Sequence, residues 1–384
     1  ESIYTYYDNG HALYNMTSVK EITFKGLTVP SLERGYSPFR NMTKLETVYV
    51  PAEVYSVYVS AYKSYLPDGA RIKSIGAVGD FQIDDGVLTA YFGDGGEVVI
   101  PEGVTKIGTS AFQNCTGLVK VIIPDTVTEI GISAFQKCTG LSEVEFSGNL
   151  VKIEGSAFSG CNNLQKIKLP EKLEKIGVSA FSNCSGIAGE LVIPNSVTSI
   201  GASAFSSCSK LTGLTIGDGV TGIEDSVFAG CSGLTGELVI PDSIISIGAG
   251  AFSGCSKLTG LKLGKGVTSI GSSAFYYCSG LTGDLVIPDN VTSIGNSAFH
   301  DCSGFTGISL GNGITRIDSY AFSGCSGMTG ELVIPDGLKT ISAGVFGGMS
   351  GITSVVVGEK VESIYTYYDN GHALYNMTSV KEIT

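Results

Sequence analysis

LVIPNSVTSIGASAFSSCSKL, residues 191–211, holds one full turn of a pattern that recurs along most of the 384-residue chain. Its Phe205 is one of eleven phenylalanines set 23 or 24 residues apart: Phe112, Phe135, Phe158, Phe181, Phe205, Phe228, Phe252, Phe275, Phe299, Phe322 and Phe346. Five residues before each stands Ile, as in Ile107 and Ile200, and eight before stands Val, Leu or Ile, as in Val104, Leu150 and Ile244. Three residues after ten of the eleven stands Cys, and six after stands Leu, Ile, Phe or Met. Two more apolar positions follow at a spacing of two, such as Val121 and Ile123 or Leu238 and Ile240.

The L-x-x-[VL]-x-[IL] stretch alternates with period two, so it reads as a short strand with one buried face. A Pro or Gly then ends it, at Pro124, Pro170, Pro194, Gly217, Pro241 and Gly264. The second stretch, SVTSIGASAF, is too short and too rich in Gly and β-branched residues for a helix, and reads as extended or turn-like structure on the opposite side of the coil. A unit of this size cannot bury its own apolar face, so copies must stack. The expected fold is a β-solenoid, a right-handed coil of 23/24-residue repeats, elongated or gently curved. From Phe181 onward the spacing alternates 24 and 23, a double unit of 47 residues whose halves end in GELVIP and LTIG types of strand.

The segments at residues 191–211 and 285–305, LVIPDNVTSIGNSAFHDCSGF in the second case, resemble the BspA-like leucine-rich repeat family of bacterial and some protist surface proteins. FQIDDGVLTAYFGDGGEVVIPEGVTKIG (81–108) is similar to the way such arrays open, and VYVPAEVYSVYVSAYKSYLPDGARIKSI (48–75) to the way they close. The resemblance implies a leucine-rich-repeat-type solenoid and a secreted or cell-surface protein, with signal and anchor outside this fragment. It also implies adhesion to a host or neighbouring-cell surface protein or glycan.

A closing type of segment thus precedes an opening one. Residues 1–78 are expected to be the tail end or capping segment of a preceding array, and residues 79–384 a repeat array whose last module is truncated. ESIYTYYDNGHALYNMTSVKEIT, residues 1–23, returns without a change as residues 362–384, which sets a second period of 361 residues. The repeat frame persists in the first segment, with Phe39, Met42, Leu45, Val48 and Val50 in the Phe, Cys and strand positions. In the last copy it survives an insertion of five residues, with Leu374, Met377, Val380 and Ile383 in those roles. The tail segments hold 14 of the 18 Tyr, expected to cover the open end of the stack. Open ends also leave end-to-end contact between arrays available.

Ten cysteines would ordinarily suggest disulfides, but all ten fall at one frame position, forming a ladder that points one way. Met42, Met349 and Met377 occupy the same slot, so reduced core thiols are expected and no metal site. His11, His300 and His372 are the only histidines, and His300 reads as a solvent-facing spacer. No His is framed with a Ser or Cys, the GxSAF strings lack the last Gly of a nucleophile elbow, and GDGGEVV lacks the Lys-Ser/Thr of a phosphate loop. No enzyme and no cofactor are expected.

Glu190, Glu237, Asp284 and Glu331 share one strand position on alternate turns, with Gly213, Gly260 and Gly307 between them. Their spacing of about 9.5 Å is too wide for a calcium cage. Together with Lys120, Glu143 and Lys166 they form the candidate binding stripe, and Lys120, Lys166 and Lys168 start the array with the opposite sign. A net charge of −12 opposes nucleic acid, and no apolar run is long enough to insert in a membrane. The expected function is adhesion by protein or glycan binding on the strand face; the alternative is a passive stalk or cell-wall spacer.

Overall fold

Leu191 and Ile193 turn inward and Glu190 and Val192 outward along the strand Gly189–Ile193, which is the alternation that the sequence pattern calls for. The strand pairs in parallel with Leu211–Ile216, one repeat on. The same parallel ladder recurs through the chain, for example Gly96–Val99 with Leu118–Ile122 and Thr329–Ile334 with Gly351–Val357. The computed structural model describes residues 16–25, 39, 41–51, 55–75, 79–364 and 372–384. They fall into two units, Glu1–Asp94 and Gly95–Thr384. The second is a β-solenoid of about 23 residues per turn.

The SVTSIGASAF stretch supplies a second ladder of two-residue strands. Lys106–Ile107, Glu129–Ile130, Lys152–Ile153, Lys175–Ile176 and Ser199–Ile200 pair in parallel, each with its Ile inward. The chain then wraps around the next phenylalanine through two left-handed residues, Ser203 (φ 58°) and Ser207 (φ 61°) in this turn. Ala204, between them, is fully buried, and Phe205 donates its N–H to the Val227 carbonyl of the next turn at 2.9 Å. The repeated Ser-Ala-Phe string is therefore structural: a tight turn, a small filler and a core ring.

All eleven phenylalanines are fully buried and stack in one column. Neighbouring rings lie 4.7 Å (Phe112–Phe135) to 5.7 Å (Phe322–Phe346) apart, within 16° of parallel even at the most tilted pair, Phe228–Phe252. Such spacing is that of offset-stacked rings. Each ring closes the apolar interior of one turn and roofs the next.

The alternation of 24 and 23 residues has a local cause. In the longer turns the register shifts as the strand begins, between Gly189 and Glu190, Gly236 and Glu237, Gly283 and Asp284, and Gly330 and Glu331. The glycine there has positive φ, 85° at Gly189 and 76° at Gly236, a bulge conformation that absorbs the extra residue. After the strand, the longer turns bend through Pro-Asn or Pro-Asp and the shorter ones through Gly-x-Gly. Asp242 of a longer turn accepts the N–H of Lys265 at 2.8 Å, and Asp289 that of Asn312 at 2.8 Å. The two turn types are thus complementary, one offering a carboxylate and the other a backbone lean enough to approach it.

In the N-terminal unit, Glu21–Thr23, Thr47–Val50 and Arg71–Ser74 form a parallel sheet. Phe39, Met42, Leu45, Val48 and Val50 are buried, so the repeat frame holds there. Of two further features, the first has no counterpart in the repeat and the second differs from expectation. A helix, Tyr55–Tyr62, replaces the usual turn region. Its Tyr58 and Tyr62 do not cover an open end with their hydroxyls in water; they are buried, Tyr62 packing against Phe39 with ring centres 6.0 Å apart. The tyrosines at 4, 6, 7, 14, 36, 365, 367 and 368, and His11, lie outside the described residues. Phe81–Asp84 and Val87–Tyr91 form an antiparallel hairpin whose turn residues Asp85 (φ 49°) and Gly86 (φ 77°) are both left-handed, the geometry a two-residue Asp-Gly turn favours.

The last copy keeps its frame across the insertion, since Phe346 donates to the Ala373 carbonyl at 3.0 Å, which puts Leu374 in the ring position. Leu374, Met377 and Val380 are half-buried and Ile383 is exposed.

Candidate functional site

On the strand face the outward residues fall into two columns. In the first, Glu97 is opposite Lys120, Lys120 opposite Glu143, and Glu143 opposite Lys166. Lys120 bonds the carboxylates of Glu145 and, at 3.1 Å, Glu143, and these bonds raise the pKa of its ammonium. Its charge is spent within the face, and the early part of the column alternates in sign.

From Glu190 onward the column carries acids only. Glu190 is opposite Gly213, Glu237 opposite Gly260, Asp284 opposite Gly307, and Glu331 opposite Ser354. The glycines matter because the acid leans across them. A Cβ on Gly213 would lie 3.2 Å from the Glu190 side chain, and one on Gly307 2.5 Å from the Asp284 carboxylate. Hydroxyls one turn on hold three of the four acids in place: Thr215 donates to Glu190 at 2.8 Å, Thr306 to Asp284 at 3.1 Å and Ser354 to Glu331 at 3.2 Å. None of the four forms an ion pair with a described residue.

The second column is not evident from residue type. Two residues after each acid stands an outward valine: Val192, Val239, Val286 and Val333, each 46–58% exposed, with Val99 before them. Valine in a strand reads as core. These valines lie outside because Leu and Ile on either side of them hold the inward places, and the period-two count is the one signal in the sequence that places them there.

The ladder of thiols is intrachain packing. All ten cysteines are free, and nine are buried. Each of these nine donates its S–H to the carbonyl of the preceding turn's phenylalanine, from 3.0 Å (Cys138 to Phe112) to 3.4 Å (Cys255 to Phe228). The slot is thus not only apolar, since a weak donor there meets a buried carbonyl. Burial pushes the thiols of Cys231, Cys278 and Cys325 up to about 12, so thiolate is scarce at neutral pH. Native protein is expected to leave an aqueous thiol reagent almost unreacted at the nine buried positions and to react fully once unfolded in denaturant. Rapid native labelling of them would overturn the packing. Cys255→Ala should be tolerated, because the Phe228 carbonyl keeps the Cys231 N–H at 3.1 Å.

The turns that follow the phenylalanines carry a shallow groove of about 900 Å³ lined by Asn114, Lys137, Asn162, Asn183 and Ser207 among others. These are the second and fourth residues after each Phe, a polar column also legible in the frame. Farther along the same side His300 departs from the expected spacer role. It is largely covered, its ring centre 5.2 Å from that of Tyr276, and its Nδ1 lies 3.1 Å from the Asp301 carboxylate but outside hydrogen-bond geometry. Among the described residues no three His, Cys, Asp or Glu side chains are grouped to hold a metal ion, and no helix is long and apolar enough to cross a membrane.

The chain is similar to a leucine rich cell surface protein from Faecalibacterium prausnitzii, 28% identical with a TM-score of 0.51, over 80% of this chain and 93% of that one. A Leucine Rich Repeat protein of T. pallidum is 34% identical, covering 47% of this chain and 88% of its own, with a TM-score of 0.43. A leucine-rich repeat protein from Bacteroides ovatus is 26% identical over 72% of this chain and 85% of that one, with a TM-score of 0.44. No curated protein sequence matches the chain. The BspA type leucine rich repeat region matches in six copies at residues 94–189, 188–304 and 275–384, and with this stack of turns beneath the match, the chain belongs to that family.

Proposed function

We propose that this chain is a secreted or cell-surface protein that mediates adhesion by binding a partner along its strand face, and that it carries no catalytic activity. The observation that supports this reading is the recurrence of a carboxylate and an exposed valine on every second turn, at Glu190 and Val192, Glu237 and Val239, Asp284 and Val286, and Glu331 and Val333. A single exposed valine is ordinary on a protein surface, but a row of them beside a row of acids that pair with no described cation is a surface suited to contact. The pitch of about 9.5 Å between successive pairs suits an extended partner that presents basic and apolar groups in turn. Charge complementarity favours a basic protein surface over a neutral glycan. The cell-surface location rests on the family and on the Faecalibacterium prausnitzii protein, whose name states it.

The test is equilibrium binding of the purified chain to a panel of matrix proteins, mucins and glycans at low and high salt. Binding at micromolar concentration or tighter is expected for basic proteins, weakening as salt screens the acids. A variant with Glu190→Lys, Glu237→Lys, Asp284→Lys and Glu331→Lys should lose it. Absence of binding to every member of the panel would favour a passive stalk, and binding to neutral glycans alone would move the site off this face.

A further inference from the structure

Each phenylalanine of the array is followed by a turn whose second and fourth residues face outward on either side of the inward cysteine position. The second residue is left-handed in each, with φ of 61° at Asn114, 59° at Asn183 and 61° at Ser207. Glycine and asparagine suit that backbone, whereas Lys137, at 58°, holds it at a cost, and residues so held gather at sites that bind. From Asn114 to Gly230 these turns line the shallow groove.

The chemistry of the groove is unlike that of the rest of the surface. Its lining holds amides, hydroxyls and the ammonium of Lys137, and no carboxylate, although the chain carries a net charge of −12. Hydroxyls elsewhere on the solenoid are engaged by the preceding turn: Ser142 donates to the Val119 carbonyl at 3.1 Å, Thr235 to that of Thr212 at 3.0 Å and Thr292 to that of Thr268 at 3.1 Å. The groove hydroxyls of Thr116, Thr139, Ser185 and Ser209, all at the fourth position, bond to no described residue. Each keeps a donor and two acceptor lone pairs for a ligand.

The spacing selects among polar ligands. The phenylalanine rings beneath the groove lie 4.7 to 5.7 Å apart from one turn to the next, and like groups in the groove recur with them. An extended peptide presents side chains on one face about every 6.7 Å, so it falls out of step within a few turns. A nucleic acid strand needs a row of cations, and Lys137 is one. A pyranose joined through opposite corners of its ring advances by nearly one turn, and its hydroxyls both donate and accept.

We propose that the groove from Asn114 to Gly230 binds an unbranched neutral polysaccharide, laid along the solenoid with one sugar to a turn. The amides of Asn114 and Asn183 and the hydroxyls of Thr139 and Ser209 meet the sugar hydroxyls, and each turn adds a small increment, so affinity grows with the length of the ligand. The site uses other frame positions than the acids and valines of the strand face, and it takes an uncharged ligand where that face takes a basic one.

Isothermal titration of the full chain with cellohexaose, mannohexaose, xylohexaose, maltohexaose and chitohexaose tests this. At least one hexasaccharide is expected to bind, more tightly than its disaccharide and equally at low and high salt, since no ligand charge is screened. Asn114→Gly, Thr139→Val, Asn183→Gly and Ser209→Ala together remove polar groups while keeping the left-handed backbone, and should weaken binding about tenfold. Thr139→Val alone, a hydroxyl exchanged for a methyl, should act in the same direction and decides if the fourfold variant does not fold. The variant with Glu190→Lys, Glu237→Lys, Asp284→Lys and Glu331→Lys should bind the sugar as the parent does, so failure of the strand-face reading and failure of this one are distinguishable. No binding of any of these hexasaccharides, a disaccharide that binds as tightly, or folded groove variants with the parent's affinity would overturn the proposal.

Discussion

Phe252→Ala is expected to cost about 3–5 kcal/mol and to open amide exchange in the turns on either side of residue 252. Phe252 is fully buried between Phe228 and Phe275, with ring centres 5.4 Å away on both sides. Removing its ring leaves a cavity that a stacked backbone cannot collapse into, because each turn is held in place by hydrogen bonds to its neighbours. The loss should be local, since a stack of repeats is stabilised turn by turn and by nearest-neighbour contacts. Hydrogen exchange read by mass spectrometry would show faster exchange near residues 228–275 and little change near Phe112. Exchange identical to the parent throughout would mean that the column of rings does not carry the stability of the stack.

Gly266→Ala is expected to destabilise by about 3 kcal/mol, through crowding rather than a cavity. A Cβ at Gly266 would stand 2.1 Å from the Asp242 carbonyl oxygen and 3.0 Å from that of Ile244, both backbone atoms of the preceding turn. The equivalent Gly219 and Gly313 face the carbonyls of Asn195 and Asp289 at 2.1 and 1.9 Å. The Gly-x-Gly bend can nest under a Pro-Asx bend only without side chains. Gly236→Ala is the control: its φ is 76° but nothing lies within 4 Å of the added carbon, so only the left-handed backbone is penalised, by about 1–2 kcal/mol. Urea denaturation of the two variants separates these causes. Equal losses at both sites would show that close approach between turns is not what selects glycine at position 266.

The contrast between these glycines shows how far the pattern could be read. Period-two alternation placed Leu191 and Ile193 inside, and the 23-residue recurrence placed every phenylalanine in one column, because stacking leaves equivalent residues no other environment. The acids at Glu190, Glu237, Asp284 and Glu331 were legible for the same reason. The glycines between them gave no hint of their use, since a lean of Glu190 across Gly213 depends on side-chain direction between turns, which no spacing encodes. The outward valines escape a reading by residue type because valine in a strand is ordinarily core, and only the neighbouring Leu and Ile exclude it.

Where the period breaks, tertiary structure decided the outcome. Tyr58 and Tyr62 became core because a helix formed over Tyr55–Tyr62, a stretch that no repeat constrained. His300 was covered by Tyr276, a neighbour 24 residues earlier that exists in one turn only. By itself the sequence determined which residues share a column and that the columns must be covered, because a turn of this size has no interior of its own. Whether a particular turn is covered depends on what lies against it, and that was decided only in three dimensions.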